Sequence, residues 1–228
     1  KEQAKPQPKV YAVADAHLDT QWNWTVQTTI REYLWNTISR NNFLLPHFPD
    51  YVFNFEGGQH YAWFKEYYPQ EYEKMKDLIK SGRWHISGAS WNANDVNVPS
   101  VESLVRNIAL GQKYYRDEFG VESTDIFLPD CFGFGWTLPT VAKHCGLIGF
   151  SSQKLGWREK PFYPDGKKYP FTIGLWQGVD GERIMMAHGY DYGRRFDGKD
   201  LSDNEQLKEY VTHSPLNMAY RYYGTGDM

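Results

Sequence analysis

His17 and Asp19 flank one residue in Ala16-His17-Leu18-Asp19-Thr20-Gln21-Trp22. The stretch follows Lys9-Val10-Tyr11-Ala12-Val13-Ala14, which reads as a buried strand. Residues two apart in an extended segment project to the same side, so an imidazole and a carboxylate emerge together where strand becomes loop. Such a pair suits a divalent ion such as zinc. The same pair would also serve as a strand-end hydrogen bond beside a helix-capping Asp. Trp22, three residues on, offers a wall for the apolar face of a sugar. A second candidate lies in Leu128-Pro129-Asp130-Cys131-Phe132-Gly133-Phe134-Gly135, where a carboxylate stands at a strand terminus inside a Gly-rich turn. Alone, Asp130 would read as a turn-forming Asp. Beside His17 and Asp19 it becomes a third metal ligand, a nucleophile, or both.

The elements that must carry these groups alternate between strand and helix. After the first strand, Ile30, Leu34, Trp35 and Ile38 predict a helix over 26–40. Tyr51 to Phe55 reads as a strand, and Gln59 to Lys80 as a helix that Pro69 divides, with Tyr61, Phe64, Tyr68, Tyr72, Met75 and Ile79 on its inner side. A third strand is expected over 82–88. A helix capped by Ser100 runs to about Phe119, and a fourth strand, 125–128, delivers Asp130. A short helix over 138–145, a strand at 148–151, a β-hairpin from 171–176 and 183–187 about Val179-Asp180-Gly181-Glu182, and a helix over 204–213 complete the pattern. Tyr222 to Met228 reads as a Gly-rich turn without a closing element, as in part of a longer protein. Repeated β-α units predict an α/β fold with a parallel sheet. Polar groups follow successive strands: His17 and Asp19, Glu56, Trp91 and Asp95, Asp130, then Gln153 and Lys154. That placement favours barrel-like order, with chemistry at the carboxyl ends of the strands.

The 228 residues allow a sizeable core. The net charge of −3, with scattered basic residues, gives no footprint for nucleic acid or an anionic membrane surface. No apolar run approaches the roughly 20 residues of a spanning helix. Cys131 and Cys145 fix no redox compartment. Nine Trp and seventeen Tyr would supply stacking faces for carbohydrate as well as core. Residues 1–9 are polar and Pro-rich, expected as a disordered lead-in to one domain over 10–228. A removed export signal would leave such a start, and so would an arbitrary boundary within a longer chain; of locations, one outside the cytoplasm (periplasmic or secreted) is the expectation.

From Val10 to Asp227 the chain resembles glycoside hydrolase family 38, the retaining α-mannosidases. His17-Leu18-Asp19-Thr20-Gln21-Trp22 is similar to the family's metal-binding His-x-Asp-x-x-Trp. Leu128-Pro129-Asp130-Cys131-Phe132-Gly133 resembles its nucleophile motif. Four further blocks occur in family order: Ser81–Trp84 through Trp91–Asp95 and Pro99–Arg106, Gln153–Trp157, Trp176–Gly181, and Gly224–Asp227. The resemblance implies an irregular (β/α)7-type barrel with parallel strands, incomplete here. It implies zinc on His17, Asp19 and Asp130, with Asp130 also the nucleophile and a fourth ligand, a His, from further downstream. Trp22 and Phe132 would pack on the mannose ring of a mannose-containing oligosaccharide or glycan. Relatives carry His-Ser where Phe134-Gly135 stands, and often Val-Glu-Pro where Asn92-Ala93-Asn94 stands.

The residues support that chemistry on their own terms. A retaining glycosidase needs a carboxylate nucleophile and a carboxylic acid about 5–5.5 Å apart. Asp227, in Gly224-Thr225-Gly226-Asp227, is the candidate acid, although it would serve equally as a turn residue. A metal-dependent carbohydrate deacetylase would use the same groups with water as nucleophile. A non-catalytic carbohydrate-binding domain would need the aromatics alone.

Overall fold

A computed structural model describes residues 6–155, 172–189 and 204–227. Eight strands fall into two four-stranded sheets. In the first, β1 (Lys9–His17) is central, with β2 (Phe53–Phe55) and then β3 (Trp84–Ile86) on one side and β8 (Met218–Gly226) on the other, all parallel. In the second, β4 (Asp125–Phe127), β5 (Gly149–Ser152) and β7 (Arg183–His188) are parallel, and β6 (Ile173–Gln177) runs antiparallel along β7. The Ala89 N–H, just past β3, donates to the Asp125 carbonyl at 2.9 Å, which links the two sheets. On the far side the Tyr220 N–H of β8 donates to Thr172 Oγ1 at 2.7 Å, beside β6. Among the described residues no continuous ladder closes the ring, so the α/β fold is an incomplete parallel barrel.

The expected β6–β7 hairpin forms; Phe171, which would open it, lies outside the described residues. Gly156 and Trp157 do too. The C-terminal expectation needs correction. The segment read as a bare Gly-rich turn is β8, nine residues long, paired with β1 along its whole length from Lys9–Met218 to His17–Gly226. The register requires a glycine at position 224, because a Cβ there would meet the Asp15 carbonyl oxygen at 1.9 Å.

Helices cover the strands. After α1 (Val26–Thr28) a π-helical stretch, Thr29–Leu34, leads into α2 (Trp35–His47), so the first helix runs seven residues beyond its expected end at Arg40. Tertiary contacts hold that extension: Leu45 is buried, and the Asn42 amide donates to the Glu71 carbonyl at 3.0 Å. Pro69 does divide the next helix, into α3 (Gly58–Tyr67) and α4 (Pro69–Lys80), because proline is tolerated at a first helical turn and not inside one. α5 (Val101–Phe119) begins at Ser100, whose Oγ accepts the Ser103 N–H at 3.2 Å. α6 (Thr137–His144) and α7 (Glu205–His213) follow.

The main core joins Leu34 of the π-helical stretch, Ile38 of α2, Phe53 and Phe55, Tyr61 and Phe64, Tyr72, Met75 and Trp84. Burying each such large side chain contributes roughly 1.5–3 kcal/mol. Its polar tips are satisfied: Trp84 Nε1 donates to Tyr61 Oη at 2.9 Å, which donates to the Phe55 carbonyl at 2.9 Å. A second core packs α5 and α6 against β4, β5 and β7. Among the described residues no helix is long and apolar enough to cross a membrane.

Candidate active site and metal centre

At the carboxyl ends of β1, β4 and β8, one ligand atom each from His17, Asp19, Asp130 and Asp227 lies within 4.8 Å of all the others. β1 presents His17, and Asp19 follows in the loop. Asp130 leaves β4 after Leu128 and Pro129, and Asp227 ends β8. Asp227 is fixed by its own backbone, since its N–H donates to the His17 carbonyl at 2.8 Å. It is fixed again by its side chain, whose Oδ1 accepts the Asp19 N–H at 2.7 Å. It sits at φ 55°, a left-handed conformation that Asp tolerates better than most residues.

His17 is 5 % exposed and engaged at both ring nitrogens. Nδ1 lies 3.0 Å from Glu56 Oε1, and Nε2 lies 3.0 Å from Asp19 Oδ1 and 3.6 Å from Asp130 Oδ2. Burial works against protonation of the imidazole. The hydrogen bonds to Asp19 and Glu56, with the charges of Glu56 and Asp227, outweigh it and raise the pKa to about 10. Glu56 itself is buried and its pKa is raised, chiefly by desolvation, with His17 acting against that rise. The Asp227 carboxyl is pushed up by burial, against the Asp19 N–H and the His17 charge. One layer below, Asp15 points to the same face as His17 with neither carboxyl oxygen hydrogen-bonded. Burial, then repulsion from Glu56, raises its pKa well above the ordinary Asp value, against the charge of His17.

The donor set fits a divalent cation. Four donors about 2.1 Å from one ion would stand about 3.4 Å from one another in a tetrahedron. The 3.0 and 3.6 Å separations from His17 Nε2 bracket that value. Glu56 at Nδ1 leaves Nε2 directed into the cluster, the usual arrangement behind a metal-ligating histidine. With the metal-free imidazole favouring its proton, an arriving cation takes that proton's place.

The surrounding loops are cross-braced. Asn92 bonds Thr20 through its side chain, at 3.1 and 3.0 Å, tying the loop after β3 to the loop after β1. Asn107 of α5 donates to Asn94 Oδ1 at 2.7 Å, and Cys131 Sγ donates to the Asn94 carbonyl at 3.2 Å. Asn92 and Asn94 thus have a bracing role. α5 reaches this loop because Gly111 has no side chain; a Cβ there would meet the Ala89 carbonyl oxygen at 2.1 Å. The loop bearing Trp22 is pinned to the π-helical stretch by Trp24 Nε1 donating to Thr29 Oγ1 at 2.8 Å and Thr29 Oγ1 donating to the Thr20 carbonyl at 2.8 Å.

Of the residues singled out from sequence, His17, Asp19, Asp130 and Asp227 converge. Trp22 and Phe132 are exposed, at 65 % and 61 %, on loops at the same strand ends. Asp95 is not in the cluster; its Oδ1 accepts the Asn97 and Val98 N–H groups in a local turn. Two residues that sequence reading placed at strand ends without a role belong to the site: Glu56, behind His17, and Lys154, whose ammonium pairs with Asp130 Oδ1.

A parallel α/β barrel fragment with acidic and imidazole groups converging at the carboxyl ends of its strands has the layout of a barrel enzyme domain. Residues 7–227 match the Glycosyl hydrolases family 38 N-terminal domain, and the chain belongs to that family. It is 31 % identical over 230 residues to Alpha-mannosidase G of Dictyostelium discoideum, covering 98 % of this chain and 20 % of that protein. It is 28 % identical over 222 residues to an Alpha-mannosidase of Saccharomyces cerevisiae, covering 96 % of this chain and 19 % of the yeast protein. The chain therefore spans about a fifth of the length of these curated relatives. Among solved structures, an alpha-mannosidase from Enterococcus faecalis V583 superposes with a TM-score of 0.74 at 19 % identity, over 97 % of this chain and 25 % of that one. That likeness supports the fold.

Proposed function

We propose that this chain supplies the metal-binding and nucleophile-bearing part of a retaining, zinc-dependent α-mannosidase. The enzyme would remove terminal α-linked mannose from glycans through a covalent glycosyl-enzyme intermediate. The convergence of His17, Asp19, Asp130 and Asp227 carries this reading. Family membership and the α-mannosidase relatives support the substrate class.

His17, Asp19 and Asp130 are the proposed ligands of the ion, which when bound would hold sugar hydroxyls and stabilise developing charge. A carboxylate oxygen of Asp130 attacks the anomeric carbon as the glycosidic bond breaks. Asp227 gives its proton to the departing oxygen and later takes one from water. The raised pKa of Asp227 suits a group that must hold a proton. Its oxygen lies within 4.8 Å of the Asp130 donor, nearer the about 5–5.5 Å of retaining enzymes than the about 6.5–9.5 Å of inverting ones. Trp22 and Phe132 provide exposed aromatic faces for the sugar ring.

The test uses the full-length protein with zinc, an aryl α-mannoside, and a fluorinated mannosyl fluoride that traps the intermediate. Turnover with label on Asp130 is expected. Acetate release from acetylated sugars with no label on Asp130 would replace the proposal with a deacetylase. Asp227→Asn should lose more rate on poor leaving groups than on activated ones. A uniform loss accompanied by weaker zinc binding would make Asp227 a fourth ligand instead of the acid.

A further inference from the structure

The two carboxylate oxygens of Asp130 face different partners. Oδ2 looks toward His17 Nε2 at 3.6 Å and the shared cluster, while Oδ1 is paired with the ammonium of Lys154. Lys154 is 8 % exposed, an uncommon position for a lysine, and a buried ammonium is tolerated where a counter-charge meets it. Its place is built. The chain leaves β5 at Ser152, whose Oγ accepts the Lys154 N–H at 3.2 Å, turning the side chain inward. Lys154 Nζ also stands 4.5 Å from the centre of the Phe132 ring, on the loop that carries Asp130.

We propose that Lys154 is a positioning residue for the nucleophile: by holding Oδ1 it fixes the rotation of the Asp130 carboxylate, and it assists the carboxylate as a leaving group when the glycosyl-enzyme breaks down. This rests on the reading of Asp130 as nucleophile. In the second half-reaction a water oxygen bonds to the anomeric carbon. The bond from that carbon to the Asp130 carboxylate breaks, its electron pair returns to the carboxylate, and the water proton passes to Asp227. The regained charge spreads over both oxygens, and Lys154 already touches one of them. In the first half-reaction the same contact opposes attack slightly, because it holds the charge that must be spent. The two steps therefore respond unequally to the lysine.

Removing one partner of a buried ion pair of this kind is expected to cost about 10- to 100-fold in rate. In the full-length zinc-loaded enzyme, assayed on an activated aryl α-mannoside, Lys154→Met is expected to lower kcat by that factor. It should lower KM in parallel as intermediate accumulates, so that kcat/KM falls less than about fivefold. Lys154→Arg should recover most of kcat. Zinc affinity, read by chelator competition, should stay within about threefold of wild type. Wild-type kcat in Lys154→Met, or a fall in kcat/KM as large as that in kcat, would overturn the proposal. So would a tenfold loss of zinc affinity, which would make Lys154 a support of the metal site. Should wild type neither turn over mannosides nor label at Asp130, the functional reading falls separately. Crystal structures of wild type and Lys154→Met then decide the positioning claim: a rotated Asp130 carboxylate upholds it and an unchanged one refutes it.

Discussion

Lowering the pH from 8 to 6 should weaken zinc binding to this chain by about a hundredfold. The reason is the proton on His17. In the metal-free protein its pKa is raised to about 10, through Asp19, Glu56 and Asp227, in spite of burial. A cation binds the neutral imidazole, so at every pH below about 10 it must first displace that proton, and the apparent association constant rises tenfold per pH unit. Two units give about 100-fold, or about 2.7 kcal/mol. An ordinary histidine with a pKa of 6.5 would change from about one quarter neutral at pH 6 to nearly all neutral at pH 8, a gain of only about fourfold. The two cases are easily separated by competition against a chromophoric chelator of known proton affinity at pH 6, 7 and 8. Calorimetry in two buffers of different ionisation enthalpy should count about one proton released per ion at pH 7. A rise below tenfold across the range, with little proton release, would refute the account of His17. In the absence of metal the sign reverses: the raised pKa stabilises the fold fully below about pH 6.5 and that contribution fades as pH climbs toward 10.

Further outcomes follow from the same geometry. In the full-length enzyme Asp130→Asn should abolish turnover while keeping the fold, costing at least several kcal/mol in barrier, and added zinc should not restore it. His17→Ala should instead lose metal affinity first, so that kcat measured against zinc concentration recovers in part. Glu56→Gln should keep the packing but weaken the hold on His17 Nδ1, lowering zinc affinity about 10- to 100-fold in a competition assay. Gly111→Ala should destabilise the fold by roughly 1–3 kcal/mol, seen as a lower Tm, because its Cβ would press on the Ala89–Trp91 backbone; an unchanged Tm would show that α5 can shift without cost.

His17, Asp19 and Asp130 were legible because strand alternation fixes which side a residue leaves from, and a short loop cannot carry it far. The helices α3, α4 and α5 were legible for local reasons as well: apolar spacing, Pro69, and the Ser100 cap. β8 was hidden. Its buried positions include Arg221, and Gly224 and Gly226 disfavour a strand, so only pairing with β1 makes one of it. The role of Glu56 was hidden by distance, since its partner His17 lies 39 residues away. Lys154 likewise carried no local sign that it would be buried against Asp130. Local patterns mark where polar groups emerge, and tertiary pairing decides which of them meet.

The bond between the Asp19 N–H and Asp227 spans 208 residues of chain. At a ribosomal rate of about 5–20 residues per second, Asp227 is added roughly 10–40 s after Asp19. Throughout that interval the edge of β1 that β8 will cover has no partner from its own sheet. His17, Asp19 and Asp130 are all made before Asp227, but the four-residue group of this site is complete only when β8 has been added. For that interval the β1 edge is open to mispairing, which gives a chaperone a defined period in which to act.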